Sequence, residues 1–307
     1  MKPQIRYTFN YIEKCTMCGS PTDKHKILGK RLNQSQGRNP ATKIGITTTV
    51  AKCSNCGLVY SNPQPVPFDL QDHYGVPPED YWVKEYFTLD ENYFKGEIER
   101  LKKIIDVKDG MKSLDIGAGI GKQMIALQKV GFDAYGFEPS KSFYEKAVEQ
   151  MGISPDKLKL GMIEDVEYPE NYFDFISFGA VLEHLYNPSD SIIKAMKWLK
   201  PSGIIHIEIP SSDWLVNKII NFYYRMRGTD YVGNISPMHN PFHLYEFGLK
   251  SFIEHAKANK YEIALHEYFV CYTYMPKIID FIIKPYMKWT NTGMQLCVWL
   301  RKKQNTP

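Results

Sequence analysis

The chain has 307 residues, 43% of them apolar, 14% aromatic and 23% charged, with a formal net charge of +4 at pH 7. That balance excludes a mainly disordered polymer and fits one large domain, or a domain with a smaller module. No apolar run approaches the ~20 residues of a membrane-spanning helix, and Met1 to Tyr11 lack the apolar core of a secretion signal, so no transmembrane segment and a cytoplasmic location are expected.

The net positive charge resides in the first 60 residues: ten lysines and arginines stand against Glu13 and Asp23, leaving the remainder net acidic. Such a segment suits a phosphate-bearing partner, and equally a solvated surface with none. Four of the six cysteines form two CxxC pairs, Cys15/Cys18 and Cys53/Cys56. A CxxC turn brings two thiolates to one metal, and two such turns complete a tetrahedral four-sulfur site for Zn²⁺. Gly19 and Gly57 follow the pairs, as a tight knuckle with positive backbone angles requires. Ile44–Val50 alternates like a strand, so residues 1–65 read as a zinc ribbon. Redox or disulfide roles fit less well, because neither CxxC opens a helix after a strand. A closed four-thiolate site has no open position, so Cys15, Cys18, Cys53 and Cys56 are expected to hold structural zinc. Cys271 and Cys297 stand in apolar surroundings as core residues.

The proline-rich run Asn62–Pro67 is expected to end the ribbon and to continue neither strand nor helix. An aromatic stretch (Tyr74, Tyr81, Trp82, Tyr86, Phe87) and a helical pattern from about Asp90 to Ile105 make residues 66–106 a connector.

From Met111 the pattern becomes strand, glycine turn, helix, strand. Ser113–Ile116 runs into Gly117-Ala-Gly119-Ile-Gly121, a helix follows from Lys122 to Val130, and Ala134–Phe137 ends in Glu138. Glycines let the backbone approach a bound nucleotide, and a carboxylate closing the second strand can accept from both ribose hydroxyls. The spacing is Asp-x-Gly-x-Gly-x-Gly, not the GxGxxG of nicotinamide-binding turns.

This pattern resembles motif I of class I S-adenosylmethionine-dependent methyltransferases, and later segments continue the likeness. Gly161–Asp165 before Tyr172–Ser177 is similar to the family's adenine loop and fourth strand; Phe178–Leu185 resembles its "LEHL" segment, and Leu199–Ile209 its "LKPGG" turn into the fifth strand. The resemblance implies an α/β fold over residues 107–307: a Rossmann-like sheet with helices on both faces, plus the small N-terminal zinc ribbon. It further implies that Gly117, Gly119 and Gly121 carry the backbone past S-adenosylmethionine, with Asp115 toward its amino group and Glu138 on the ribose. Ile163 would offer its backbone N–H to adenine, Glu164 or Asp165 would stand in for the acid often found near Met162, and Phe178 or Gly179 would line the methionine end.

Methyl transfer requires alignment of the acceptor and removal of its proton. His184 lies in the LEHL-like segment, and His239 and His243 follow the fifth strand; His243 and His184 are the candidate bases, although a lone histidine is more often structural. Ribbon, Asn-Pro-x-Pro exit, core and His-Leu-x-x-Phe segment together resemble zinc-ribbon methyltransferases of polysaccharide and deoxysugar biosynthesis. The sugar C-methyltransferases among them carry Glu-His-x-x-Tyr-Phe, where this chain has Phe242-His243-Leu-Tyr-Glu-Phe247. With no carboxylate preceding the histidine, and without those enzymes' extra C-terminal domain, O-methylation of a sugar or related hydroxyl is expected ahead of C-methylation. The acceptor is thus a small molecule or glycan precursor, nucleotide- or lipid-linked.

Two amphipathic segments are expected to cover the acceptor: a lid over about 211–247 and an insert over about 270–290. Their aromatic and basic composition also suits peripheral contact with a membrane. RNA methylation through the basic ribbon is a weaker reading, because Phe178–Val181 does not resemble an Asn-Pro-Pro-Tyr base-amine motif. A non-catalytic binding module fits least, since the glycine turn and Glu138 are intact.

Overall fold

The computed structural model describes residues 6–43, 45–69, 71–74 and 83–303. Ile44, Tyr81 and Trp82, and the side chain of Tyr74, lie outside that description.

The N-terminal region comprises β1 (Tyr7–Asn10), β2 (Lys26–Leu32), β3 (Thr47–Lys52), β4 (Val59–Ser61) and β5 (Gln64–Pro67). β2, β3 and β4 form an antiparallel sheet, and β5 pairs with β1. The proline-rich run therefore does continue as a strand, contrary to expectation. Its register explains why: Phe68 N donates to Arg6 O, so the even-numbered residues face β1, while Pro65 and Pro67 fall on the outward positions where no donor is needed.

After the short α1 (Gln71–Tyr74) comes α2 (Lys95–Ile104). It starts later than the helical periodicity suggests, because Phe94 adopts a left-handed conformation (φ 60°) and stops the helix from extending backward.

The large sheet uses β6 (Lys112–Ile116), β7 (Asp133–Glu138), β8 (Leu158–Leu160), β9 (Phe173–Gly179), β10 (Leu199–Pro210), β12 (Tyr261–Phe269) and β13 (Gln295–Lys302). Its order is β12-β13-β10-β9-β6-β7-β8. β8, β7, β6, β9 and β10 run parallel, and β13 enters antiparallel between β10 and β12. α3 (Lys122–Gln128), α4 (Lys141–Glu149), α5 (Pro188–Trp198) and α7 (Leu249–Ala258) complete a Rossmann-like α/β fold. β9 is buried at every residue from Phe173 to Phe178, as a parallel strand covered on both faces must be. All parallel strands end on one edge of the sheet, where such folds bind ligands.

The two regions share a core. Leu58 and Tyr60 belong to the same apolar cluster as Phe173, Ile176, Trp198 and Phe247. β11 (Tyr245–Glu246) pairs with β4 and becomes the outer strand of the N-terminal sheet. α6 (Leu215–Met226) and the loop after it also grip that sheet. Tyr224 Oη donates to Gly37 O, Val232 N donates to Lys30 O, and Val232 and Ile235 pack on Val50 and Val59. Part of the 211–247 segment, read from sequence as a lid, thus clasps the ribbon through Tyr224, Val232 and Ile235, while Phe222 and Met226 stay exposed. α8 (Lys277–Thr290) fills the gap between β12 and β13.

Candidate active site

The four CxxC thiols converge. All four Sγ atoms lie within 4.8 Å of one another, with Cys15–Cys56 at 3.5 Å and Cys18–Cys53 at 3.6 Å. No disulfide joins them. Ligands ~2.3 Å from a central ion would stand about 3.8 Å apart in a tetrahedron, so the donor set fits Zn²⁺. Gly19 (φ 71°) and Gly57 (φ 80°) donate to Cys15 O and Cys53 O, closing each knuckle. Ser20 Oγ lies 3.1 Å from Cys53 Sγ and 2.9 Å from His25 Nε2, and His25 Nδ1 lies 2.6 Å from Tyr60 Oη, an outer shell that holds the sulfur in place.

At the carboxyl edge of the large sheet, β6 leads into the glycine turn. Gly117 has φ 68°, and a Cβ there would lie 2.6 Å from Val181 Cγ2, so only glycine lets the turn approach the segment carrying Glu183 and His184. At Gly119 (φ 55°) an added Cβ would meet nothing within 4 Å, which leaves open space beside the backbone. Gly121 precedes α3. Glu138 ends β7 with both oxygens engaged: Oε2 accepts from Gly119 N and Oε1 from Ser140 N, each at 2.8 Å. Asp115 is buried and accepts from Gln123 Nε2 at 3.0 Å. Burial pushes the Asp115 carboxyl up to about 8, helped by the nearby Glu138, and pushes Glu138 up to about 7 against the pull of its two N–H donors.

Ile163 is buried in the turn after β8, and Gly161 N donates to Glu138 O, tying that turn to the carboxylate strand. Glu164 and Asp165 are exposed. Phe178 departs from expectation: its side chain sits in the core with Ile116 and Ile207, because β9 is covered on both faces. Gly179, exposed and next to Gln123 Oε1, is the residue at the rim.

The histidines meet beside this turn. His184 and His243 lie edge to face with ring centroids 4.9 Å apart, and His243 Nε2 is 3.8 Å from Glu183 Oε1. Glu183 is 1% exposed, and its Oε2 has no hydrogen-bond partner. Burial favours the neutral form of every member. It lifts Glu183 to about 8, lowers His184 to about 4 and, with the neighbouring His184, lowers His243 to about 3. Leu244 N donates to Glu183 O, so the loop carrying His243 is hydrogen-bonded to the turn carrying Glu183. His73 stacks on Phe242 at 4.1 Å, and its Nε2 lies 3.1 Å from Tyr7 Oη. His239, in contrast, is drawn to the ribbon by Arg31 Nη2 at 3.0 Å.

Sequence reasoning passed over Glu183, His73 and Tyr7. Glu183 had a signal in the LEHL-like segment, but its role appears only when β9 and the 236–244 loop are brought together. His73 and Tyr7 had none, since they reach the site from the connector and β1.

Residues 89–262 match a family model described as a methyltransferase domain. An uncharacterised protein of Methanocaldococcus jannaschii is 33% identical over 144 residues, which is 46% of this chain and 64% of that protein. Phosphoethanolamine N-methyltransferase 3 of Arabidopsis thaliana is 28% identical over 148 residues, 44% of this chain and 29% of the relative. A ubiquinone biosynthesis O-methyltransferase of Rhodopseudomonas palustris is 25% identical over 142 residues, 44% of this chain and 52% of the relative. The chain thus spans less than two thirds of the length of these curated relatives.

Proposed function

Because the chain belongs to the methyltransferase-domain family, we propose that it transfers a methyl group from S-adenosylmethionine to a hydroxyl of a sugar or glycan precursor, with zinc holding its four-cysteine module together. The observation that carries this reading is the cluster of buried Glu183 with the half-buried His184 and His243, on the segment that packs against the glycine turn at the carboxyl edge of the sheet.

The donor brings a methyl group already activated on a positively charged sulfur. This chain's residues have three tasks. Asp115, Glu138 and the open backbone at Gly119 bind the donor; His243, neutral at physiological pH, accepts the acceptor's proton; and Glu183, 3.8 Å away, pairs with the resulting imidazolium in its ionised form. Keeping the histidine neutral matters, because a protonated imidazole is no base.

One observation favours a second reading. The carboxylate missing from the sequence beside His243 is supplied in space by Glu183. Removing a carbon-bound proton needs a stronger, better-oriented base than removing a hydroxyl proton, so this pairing supports sugar C-methylation as the alternative. RNA methylation is less well supported: Arg31 is directed inward to Gln36 and His239, and Lys30 is paired with Asp230, so part of the basic module is occupied within the chain.

The test is transfer of labelled methyl into two parallel pools, nucleotide-activated sugars and total RNA. Label on a sugar oxygen supports the proposal, label on a sugar carbon selects the second reading, and label in RNA overturns both.

Two predictions concern the donor. Glu138→Ala removes a charged acceptor of two hydrogen bonds, each worth ~1.5–3 kcal/mol, so calorimetry should show donor Kd rising at least about tenfold. The second concerns pH. Asp115 and Glu138 have raised pKa values and are partly protonated near neutrality, and a cationic donor favours their ionised forms. Binding should therefore release protons, and affinity should rise as pH goes from about 6 to about 8. A pH-independent Kd would count against both carboxylates as donor ligands.

A further inference from the structure

α8 is an amphipathic helix turned inside out. Ile278, Phe281, Ile282, Pro285 and Trp289 recur at three- and four-residue spacing and so share one face. That face points to solvent: Ile278, Phe281, Ile282 and Trp289 are between 72% and 84% exposed. The inward side holds the fully buried Met287 and the polar Asp280, which accepts from Thr273 Oγ1 and pairs with Lys284 at 3.3 Å. A helix that served only the protein interior would be rotated the other way.

We propose that α8 is a docking element that lays this apolar face into the surface of an anionic lipid bilayer. Charge decides between a lipid surface and a second copy of the chain. Lys277 and Lys288 are exposed beside the stripe, while the helix's one acid, Asp280, is turned inward and paired with Lys284. Two copies packed face to face would set lysine against lysine, whereas lipid phosphates supply the opposite charge. Trp289 and Phe281 are of the residue types that populate bilayer interfaces. The adjoining α6 repeats the combination: Phe222 and Met226 are exposed beside Arg225 and Arg227, and Leu215 N donates to Thr292 O just past α8.

The position gives the docking a purpose. α8 joins the end of β12 to the start of β13, and Gln295, the first residue of β13, pairs with Pro210, the last of β10. The helix therefore stands on the same edge of the sheet as the glycine turn, and docking would hold that edge toward the bilayer. This surface is independent of which acceptor is methylated.

The test is flotation of the full chain with phosphatidylcholine vesicles, with and without phosphatidylglycerol. The wild-type chain should float with the anionic vesicles and bind neutral ones at least about tenfold more weakly. The double substitution Phe281→Glu, Trp289→Glu should reduce binding to anionic vesicles at least about tenfold. Its near-ultraviolet circular dichroism and calorimetric donor affinity should be unchanged, since both side chains lie outside the core. Donor binding is read separately, so failure of the methyltransferase reading and failure of docking are distinguishable. Absence of vesicle binding, equal binding by the double variant, or equal binding to neutral vesicles would overturn the proposal. So would a concentration-dependent dimer that the double variant abolishes without any vesicle binding.

Discussion

His243→Ala is expected to lower kcat by about 10²–10⁴-fold while leaving donor affinity unchanged. His243 sits on a loop anchored to Glu183 O and Ser236, whereas Asp115 and Glu138, the proposed donor ligands, lie at the ends of β6 and β7. Its alanine variant should therefore lose proton removal and keep the donor site. Glu183→Gln serves as the companion variant. It preserves shape but cannot stabilise an imidazolium, so kcat should fall by a smaller factor, and the pH–rate profile should lose any limb that reports Glu183. Steady-state kinetics with the donor at saturation would check both. Near-normal turnover by His243→Ala would transfer the role of base to His184, whose ring lies edge to face with it.

The second large effect is expected on removing the metal. Structural zinc sites of this donor type contribute ~10–16 kcal/mol, comparable to or above the ~5–15 kcal/mol that stabilises a whole domain. Stripping the ion with a strong chelator, or replacing Cys53 by serine, should therefore unfold the N-terminal sheet. The loss should spread, because β4 pairs with β11 through Tyr245↔Tyr60, only two residues after His243. Turnover should drop to background while donor binding at Asp115 and Glu138 persists in weakened form. Zinc release measured by a colorimetric indicator, limited proteolysis of residues 1–65 and calorimetry with the donor would follow the three events separately. A chelated protein that keeps its activity and resists proteolysis would show that the cysteines need no metal.

Much of this architecture was legible because it rests on local rules. Strand, glycine turn, helix and carboxylate are contiguous, and φ values above zero at Gly117, Gly119 and Gly121 admit few residue types. The CxxC spacing likewise encodes a geometry within four residues. What could not be read depends on contacts distant in sequence. Glu183 and His243 meet only because β9 and the loop before β11 end at one edge. The 211–247 segment reads as a lid because it is amphipathic, aromatic and basic, and composition cannot say which surface will cover its apolar side. The resemblance implies Phe178 or Gly179 at the methionine end, but both faces of β9 are covered, so the Phe178 side chain lies in the core and Gly179 alone reaches the rim. Prolines in a run predict a strand breaker, but that rule applies where a ladder N–H is needed, and Pro65 and Pro67 of β5 sit where their nitrogens face away from β1.

The pairing of β11 with β4 also sets an order of events during synthesis. The cysteines and strands β2 to β4 leave the ribosome first and can bind metal early. Their sheet gains its outer strand only when Tyr245 and Glu246 emerge, after β6 through β10 have been made. Until then Tyr60 lacks the strand that covers it, and the nascent ribbon presents an open edge to the cell. The ribbon, translated before the large sheet, is thus finished after most of it, and its completion waits on the segment that delivers His243.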